Sequence, residues 1–285
     1  MLRVFLAVAF GLSWLVALPL WLGDGLATPS FGFLAVVMMF TPTLGVLAVW
    51  ALSRTPFKQW AAETGLTLGG SKVRTALLVV GAWVGVPVLI VAAQLISAGL
   101  GLVSLDLAGF SVLREVLGAR APENLAPVAV AQVAGAVIAG PLLNAIFTFG
   151  EEWGWRGWLL PRLVASRGVV GGLVLSGVIW GVWHAPLTLL GYNYPGLGPW
   201  AALYFVGFCV LAGVVMGWLR LRSGSIWPAV VAHASINAVT PALLVATGDA
   251  QSPPNLAIAG FTGLVGWGLL AVLGFALLRF SPVER

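Results

Sequence analysis

Seven stretches, residues 4–22, 31–52, 76–100, 169–190, 200–219, 226–247 and 256–278, run without a single Asp, Glu, Lys or Arg. A backbone inside ~30 Å of hydrocarbon has to satisfy its own hydrogen bonds, and a helix of about 20 apolar residues does so. An eighth stretch, residues 127–160, is longer and carries three charges, Glu151, Glu152 and Arg156, toward its C-terminal end. The chain is therefore expected to be all-α: a polytopic integral membrane protein with eight transmembrane helices. Composition agrees, since 60% of the 285 residues are hydrophobic and 8% charged, where a soluble domain carries about 25% charged. A water-soluble globule is excluded. Arg3 precedes the first run as it would in a secretory signal, but an apolar region of about 19 residues exceeds the usual 7 to 15, so the run counts as a span. Turn-forming clusters such as Gly23-Asp24-Gly25, Gly191 to Gly196 and Ser252 to Asn255 separate the runs. With no fixed-period repeat, residues 1–285 read as one membrane domain with a motif core at 127–245.

The net charge of +5 could suggest nucleic acid, but 14 Lys and Arg are scattered along the chain without a basic stripe. No nucleic-acid partner is expected. With eight spans, eleven of these cations (Arg3, Arg54, Lys58, Lys72, Arg74, Arg162, Arg167, Arg220, Arg222, Arg279, Arg285) fall on one side and only Arg114 and Arg120 on the other. Cytoplasmic loops are enriched in Lys and Arg, so both termini are expected in the cytoplasm, with the cell membrane as the location. Trp21, Trp50, Trp200, Trp218 and Trp227 lie at run ends, where amphipathic rings prefer the interface. The one cysteine, Cys209, sits in an apolar run, so neither a disulfide framework nor a thiolate metal site can be built.

A charge within a span costs about 2.5 to 3.5 kcal/mol on insertion scales, which marks intramembrane ionisable groups as a functional site. The chain has two histidines, His184 and His233, and both fall inside expected spans. Positions i and i+4 share a helix face. Glu152 and Arg156 can thus pair, leaving Glu151 pointing elsewhere. His233 and Asn237 share a face in the seventh span, and Trp180 precedes His184 by one turn in the fifth. If these clusters converge they form a polar intramembrane cavity holding a carboxylate, two imidazoles and a carboxamide. Such a set can activate water and stabilise an oxyanion, which points to acyl hydrolysis. No Ser or Cys is placed for a triad, so water is the expected nucleophile.

At these residues the sequence resembles the CPBP intramembrane proteases, a family that includes type II CAAX prenyl proteases and bacteriocin-processing or self-immunity proteins. Its EExxxR motif is matched by Glu151-Glu152-Trp153-Gly154-Trp155-Arg156, and HxxxN by His233-Ala234-Ser235-Ile236-Asn237. FxxxH is matched in part by Trp180-Gly181-Val182-Trp183-His184, with Trp in place of Phe. The resemblance implies a membrane endopeptidase opening to the cytoplasmic side, with Glu151 as general base and His184 helping to activate the water. It implies further that His233 and Asn237 form the oxyanion hole and that Glu152, Arg156 and Trp180 support them. The Trp180 departure is expected to alter packing more than chemistry. The implied partner is a peptide or protein substrate at the membrane, lipidated or not. Relatives are commonly labelled metalloproteases, and two His plus a Glu could ligate zinc. Without an HExxH helix, and with His233 and Asn237 committed to the oxyanion, a metal-independent site with no cofactor is the favoured reading and zinc the alternative.

Two other classes remain open on the residues alone. Intramembrane Glu and His also mark transporters and proton relays, although those often repeat such groups in both halves, and residues 31–100 offer no counterpart. A non-catalytic immunity or scaffold protein of the same fold, binding a peptide, is the other.

Overall fold

The computed structural model describes residues 1–283. Among these the regular structure is helical: α1 (Leu2–Leu22), α2 (Phe31–Met39), α3 (Thr41–Ser53), α4 (Phe57–Glu63), α5 (Lys72–Gly99), α6 (Ser111–Leu117), α7 (Ala126–Ile138), α8 (Gly140–Glu152), α9 (Leu160–Trp183), α10 (Ala185–Thr188), α11 (Trp200–Ser223), α12 (Trp227–Thr247) and α13 (Leu264–Phe280). A π-helical stretch, Trp153–Leu159, joins α8 to α9.

Six helical stretches are long and apolar enough to cross a bilayer, and α7 and α13 are shorter apolar helices. One of the six, Gly140–Trp183, holds 44 residues and would be about 66 Å long if straight, twice the hydrocarbon thickness. It is not straight. Gly168 adopts φ +71° and ψ 173°, a conformation a residue with a Cβ rarely takes, and the chain turns there. The 44-residue stretch is thus two, Gly140 to residue 167 and residue 169 to Trp183. With α13, this accounts for the eight expected crossings.

Prolines shift several boundaries from those expected, because each removes the N–H that the carbonyl four residues earlier would accept. The fourth run breaks at Ala139, where Pro141 orphans the Val137 carbonyl; the indole Nε1 of Trp83 donates to it at 2.7 Å. Residues 31–52 divide into α2 and α3 at Phe40, just before Pro42. Pro161 cannot donate to Gly157, and the helix widens before it, with the Leu160 N–H bonding the Trp155 carbonyl. α9 stops at Trp183 rather than at residue 190, because Pro186 has no N–H to give the Val182 carbonyl, and the short α10 follows from Ala185. The last run also starts late. Residues 256–263 are turns around Gly260, with Ala257, Ala259, Phe261 and Gly263 buried and Ile258 exposed, and α13 begins at Leu264. Irregular backbone at this depth survives only when protein covers it.

Chain contacts group into two units. One comprises Met1–Val79, Ile146–Val230 and the chain from Leu270; the other comprises Val80–Ala145 and Val231–Leu269. In the first, α9 and α11 meet along small residues: a methyl group on Gly177 would stand 2.6 Å from the Cα of Val210, and one on Gly181 2.6 Å from that of Val206. Close backbone approach of this kind replaces the hydrophobic drive that lipid removes. Four of the five interfacial tryptophans of this unit spend their N–H groups on loop or helix-end carbonyls: Trp21 on Pro186, Trp50 on Thr55, Trp218 on Ser281 and Trp227 on Leu66. Each bond joins segments that the charge count assigns to one side. In the second unit a small apolar cluster of Leu113, Leu125, Ala129 and Ala246 packs beneath a loop. There the Asp106 carboxylate accepts the N–H groups of Gly109 and Ser111 at 2.7 and 3.0 Å.

Candidate active site

Every residue from Glu151 to Leu160 is buried. Such a segment can hold two carboxylates only if each is bonded, since an unpaired buried charge costs several kcal/mol. Glu152, fully inaccessible, accepts Nη1 of Arg156 through Oε1 at 2.9 Å, the i,i+4 pair the spacing anticipates. The Arg156 guanidinium also lies over the Trp180 ring, 4.1 Å from its centre. This cation–π contact offsets part of the lost hydration.

Glu151, 2% exposed, is held from α9: Trp180 Nε1 donates to its Oε2 at 2.7 Å. Here the sequence reading needs correction. Trp180 does more than repack the position of the motif's Phe, because a phenyl ring has no N–H to give the carboxylate. The neighbouring Gly150 carbonyl accepts Thr43 Oγ1 at 2.8 Å, and Thr148 Oγ1 donates to the Val230 carbonyl at 3.1 Å, so α8 is tied to α3 and to the first turn of α12.

His184 lies just past the end of α9 and not within a continuous helix. Its N–H turns back to Gly181, leaving the Trp180 carbonyl among the helix-end acceptors that need another donor. The His184 ring supplies it, with Nδ1 2.9 Å from that oxygen. A carbonyl only accepts, so Nδ1 carries the proton and, in the neutral ring, Nε2 carries the lone pair. Edge-to-face contacts with Trp183, Phe205 and Trp180, at 4.7, 4.8 and 5.5 Å between ring centres, fix the ring plane. Trp183 is itself anchored by Nε1 on Thr41 Oγ1 at 3.2 Å.

The structure therefore brings Glu151, Glu152, Arg156, Trp180 and His184 into one bonded cluster. His233 and Asn237, which belong to the second unit, share one face of α12; His233 is 5% exposed and Asn237 is exposed. Pro241 lacks an N–H, so the Asn237 main-chain carbonyl has no helical donor four residues on. Of the tryptophans around the acidic motif, Trp155 and Trp158 pack against Phe5 as core, and Trp153 donates to Thr64. Trp180 and Trp183 touch the ionisable groups. Tyr192, which nothing in its local sequence singles out, joins the electrostatics of the site: burial and then the Glu151 charge raise its hydroxyl above the usual range for tyrosine. Among the described residues no three His, Cys, Asp or Glu side chains form a group that could hold a metal ion.

Comparison with known proteins falls on this same region. A family described as "Type II CAAX prenyl endopeptidase Rce1-like" matches residues 127–239, which include all seven motif residues named above. A protein named CAAX prenyl protease 2 from Methanococcus maripaludis is 30% identical over 115 residues, covering 39% of this chain. The match spans 41% of that curated relative's own length.

Proposed function

We propose, from the premise that this chain is a CPBP-family protein through its Rce1-like region, residues 127–239, that it is an intramembrane endopeptidase acting on prenylated, CAAX-type peptide ends. The observation that carries the reading is the buried Glu151 carboxylate, gripped at one oxygen by Trp180, whose carbonyl also fixes the tautomer of His184. A carboxylate so held is a base of defined direction. It takes a proton from water; the water oxygen attacks the scissile carbonyl carbon; and the carbonyl electron pair becomes an oxyanion. Collapse of that intermediate breaks the C–N bond, and Glu151 returns the proton to the leaving amine. His184 Nε2 accepts a hydrogen bond from the same water. The role given to His233 and Asn237 is donation to the oxyanion, a term commonly worth a hundredfold or more in rate. The family likeness and the polar face at positions 233 and 237 support this role.

No step needs a metal, since Glu151 supplies the base and side-chain donors balance the developing charge. The site opens toward the cytoplasm in this reading, with both termini on that side of the plasma membrane, as the eleven-to-two distribution of cations favours.

The test is cleavage of a reporter peptide bearing a prenylated cysteine followed by three further residues, using purified protein in micelles. Glu151→Gln is expected to lower kcat by ~10²- to 10⁴-fold, as for loss of a general base, while the protein stays folded. Wild-type turnover in that variant would refute the base assignment. Activity that disappears on chelation and returns with zinc would overturn the metal-independent mechanism.

A further inference from the structure

Among the described residues two arginines are buried, and the chain treats them differently. Arg156 is paired with Glu152 at 2.9 Å. Arg220, 7% exposed in the last turn of α11, has no carboxylate within ion-pair distance among those residues. Of the five N–H donors a guanidinium carries, one bond is made: Nη2 donates to the Glu63 carbonyl at 3.3 Å, while Nε is enclosed with no partner. Glu63 is the only acid between residues 54 and 74, and its Oε1 accepts Gln59 Nε2 at 2.8 Å.

The loop from Thr64 to Ser71 is strapped across the end of α11. The Ile226 N–H donates to the Gly65 carbonyl at 2.9 Å, Trp227 Nε1 donates to the Leu66 carbonyl at 3.0 Å, and Gly69 lies against the Ser223 carbonyl. A methyl group on Gly65, whose φ is +75°, would stand 2.8 Å from Arg220 Cζ and Nε, so bare backbone covers the guanidinium at that point. The surroundings add positive charge and not its opposite. Arg222 follows in the same turn, exposed Lys72 and Arg74 follow the loop, and Arg162 lies 5.7 Å from the ring centre of Trp60, one turn before Glu63 on α4. Trp218 and Trp227, rings of the kind that settle at the membrane–water boundary, stand on either side of Arg220 in the sequence. A cation withdrawn from water without a partner is costly. At that depth the abundant anions are lipid headgroup phosphates, and a guanidinium matches two phosphate oxygens at once. We infer that Arg220 is a binding site for the phosphate of an anionic phospholipid, whose oxygens enter over the accessible remainder of the residue and accept N–H bonds that the chain does not use. A zwitterionic headgroup would bring its own cation into these surroundings and is disfavoured.

The test uses the full-length protein in neutral-detergent micelles, titrated with phosphatidylglycerol, phosphatidylcholine or inorganic phosphate, with bound lipid counted by native mass spectrometry. Phosphatidylglycerol is expected to bind, and neither of the others at the same concentration should bind or displace it. Arg220→Gln should weaken its affinity about tenfold or more, as for loss of bonds to a charged group, and Arg74→Gln, an exposed cation, less than about twofold. Equal losses in the two variants would mean attraction to a diffuse basic surface and would overturn the site. Displacement by inorganic phosphate would overturn the lipid as its occupant. Arg220 also holds the Glu63 carbonyl, so the Gln variant can fail through folding alone, and a second measurement uses the wild type. In ¹⁵N-arginine-labelled protein one Nε–H resonance is expected to move on adding phosphatidylglycerol and to stay in place with phosphatidylcholine. If no arginine Nε–H moves, the inference is overturned whether or not the variant folds.

Discussion

Helix α5 and the stretch from Glu151 to Leu160 lie within the membrane part of the same chain, yet they relate to their surroundings in opposite ways. α5 exposes Val73, Leu77, Val80, Val84, Val88, Val91 and Leu95, a stripe stepping by three and four that faces outward along the helix. From Glu151 to Leu160 no side chain faces out. Apolarity does not separate them, because lipid is as comfortable for Leu or Val as a protein interior. What separates them is the groups lipid cannot accept: two carboxylates, a guanidinium and indole N–H donors. In a bilayer, polar residues mark the inside.

That contrast can be broken by experiment, and the largest effect on stability is expected at the ion pair. Arg156→Leu leaves Glu152 buried without its cation, which should cost about 3–5 kcal/mol, read as a loss of unfolding free energy in mixed micelles. An unchanged midpoint would mean that the internal stretch tolerates what the comparison says it cannot. On the proposed oxyanion role, Asn237→Ala should slow cleavage by an amount equivalent to about 2.7–4 kcal/mol with little change in stability; a normal rate would remove Asn237 from the mechanism.

Packing gives a smaller, paired measurement. Gly177→Val forces a branched side chain into the backbone of Val210 and should destabilise by about 1–3 kcal/mol, whereas Val84→Leu on the exposed stripe of α5 should stay within about 0.5 kcal/mol. Equal effects at the two positions would erase the distinction between a lipid face and a helix contact.

Asp106 sharpens the comparison from the water side. Its carboxylate also accepts two backbone N–H groups, but in an exposed loop, and those bonds hold it down at about 2 from an ordinary value near 3.8. A folded-state value below the unfolded one means the support it gives is complete above pH about 3.8 and fades as pH falls through 2. Amide signals of Gly109 and Ser111 should therefore report loop opening over that acid window, and Asp106→Asn should abolish the dependence. This is the smallest of the expected effects, because water screens an exposed carboxylate.

The crossings were legible in the sequence because a span is a local property: roughly twenty apolar residues suffice wherever they stand. Helix ends were less so. The breaks at Ala139, Gly168 and Trp183 depend on Pro141, Gly168 and Pro186, all visible in the sequence, but their consequence depends on whether a distant donor such as Trp83 rescues the freed carbonyl. The Glu152–Arg156 pair could be read from i,i+4 spacing. The bond from Trp180 to Glu151 could not, since those residues are 29 apart and on different helices.

By itself, then, the sequence determined that this chain is a bundle of membrane-crossing helices and marked Glu151, His184, His233 and Asn237 as candidate site residues, because hydrophobic length and the cost of intramembrane charge are written residue by residue. Only the tertiary structure decided what holds Glu151 and which nitrogen of His184 carries its proton. Those depend on which side chains from separate helices arrive within hydrogen-bond reach, and distance in space has no local signature in a chain.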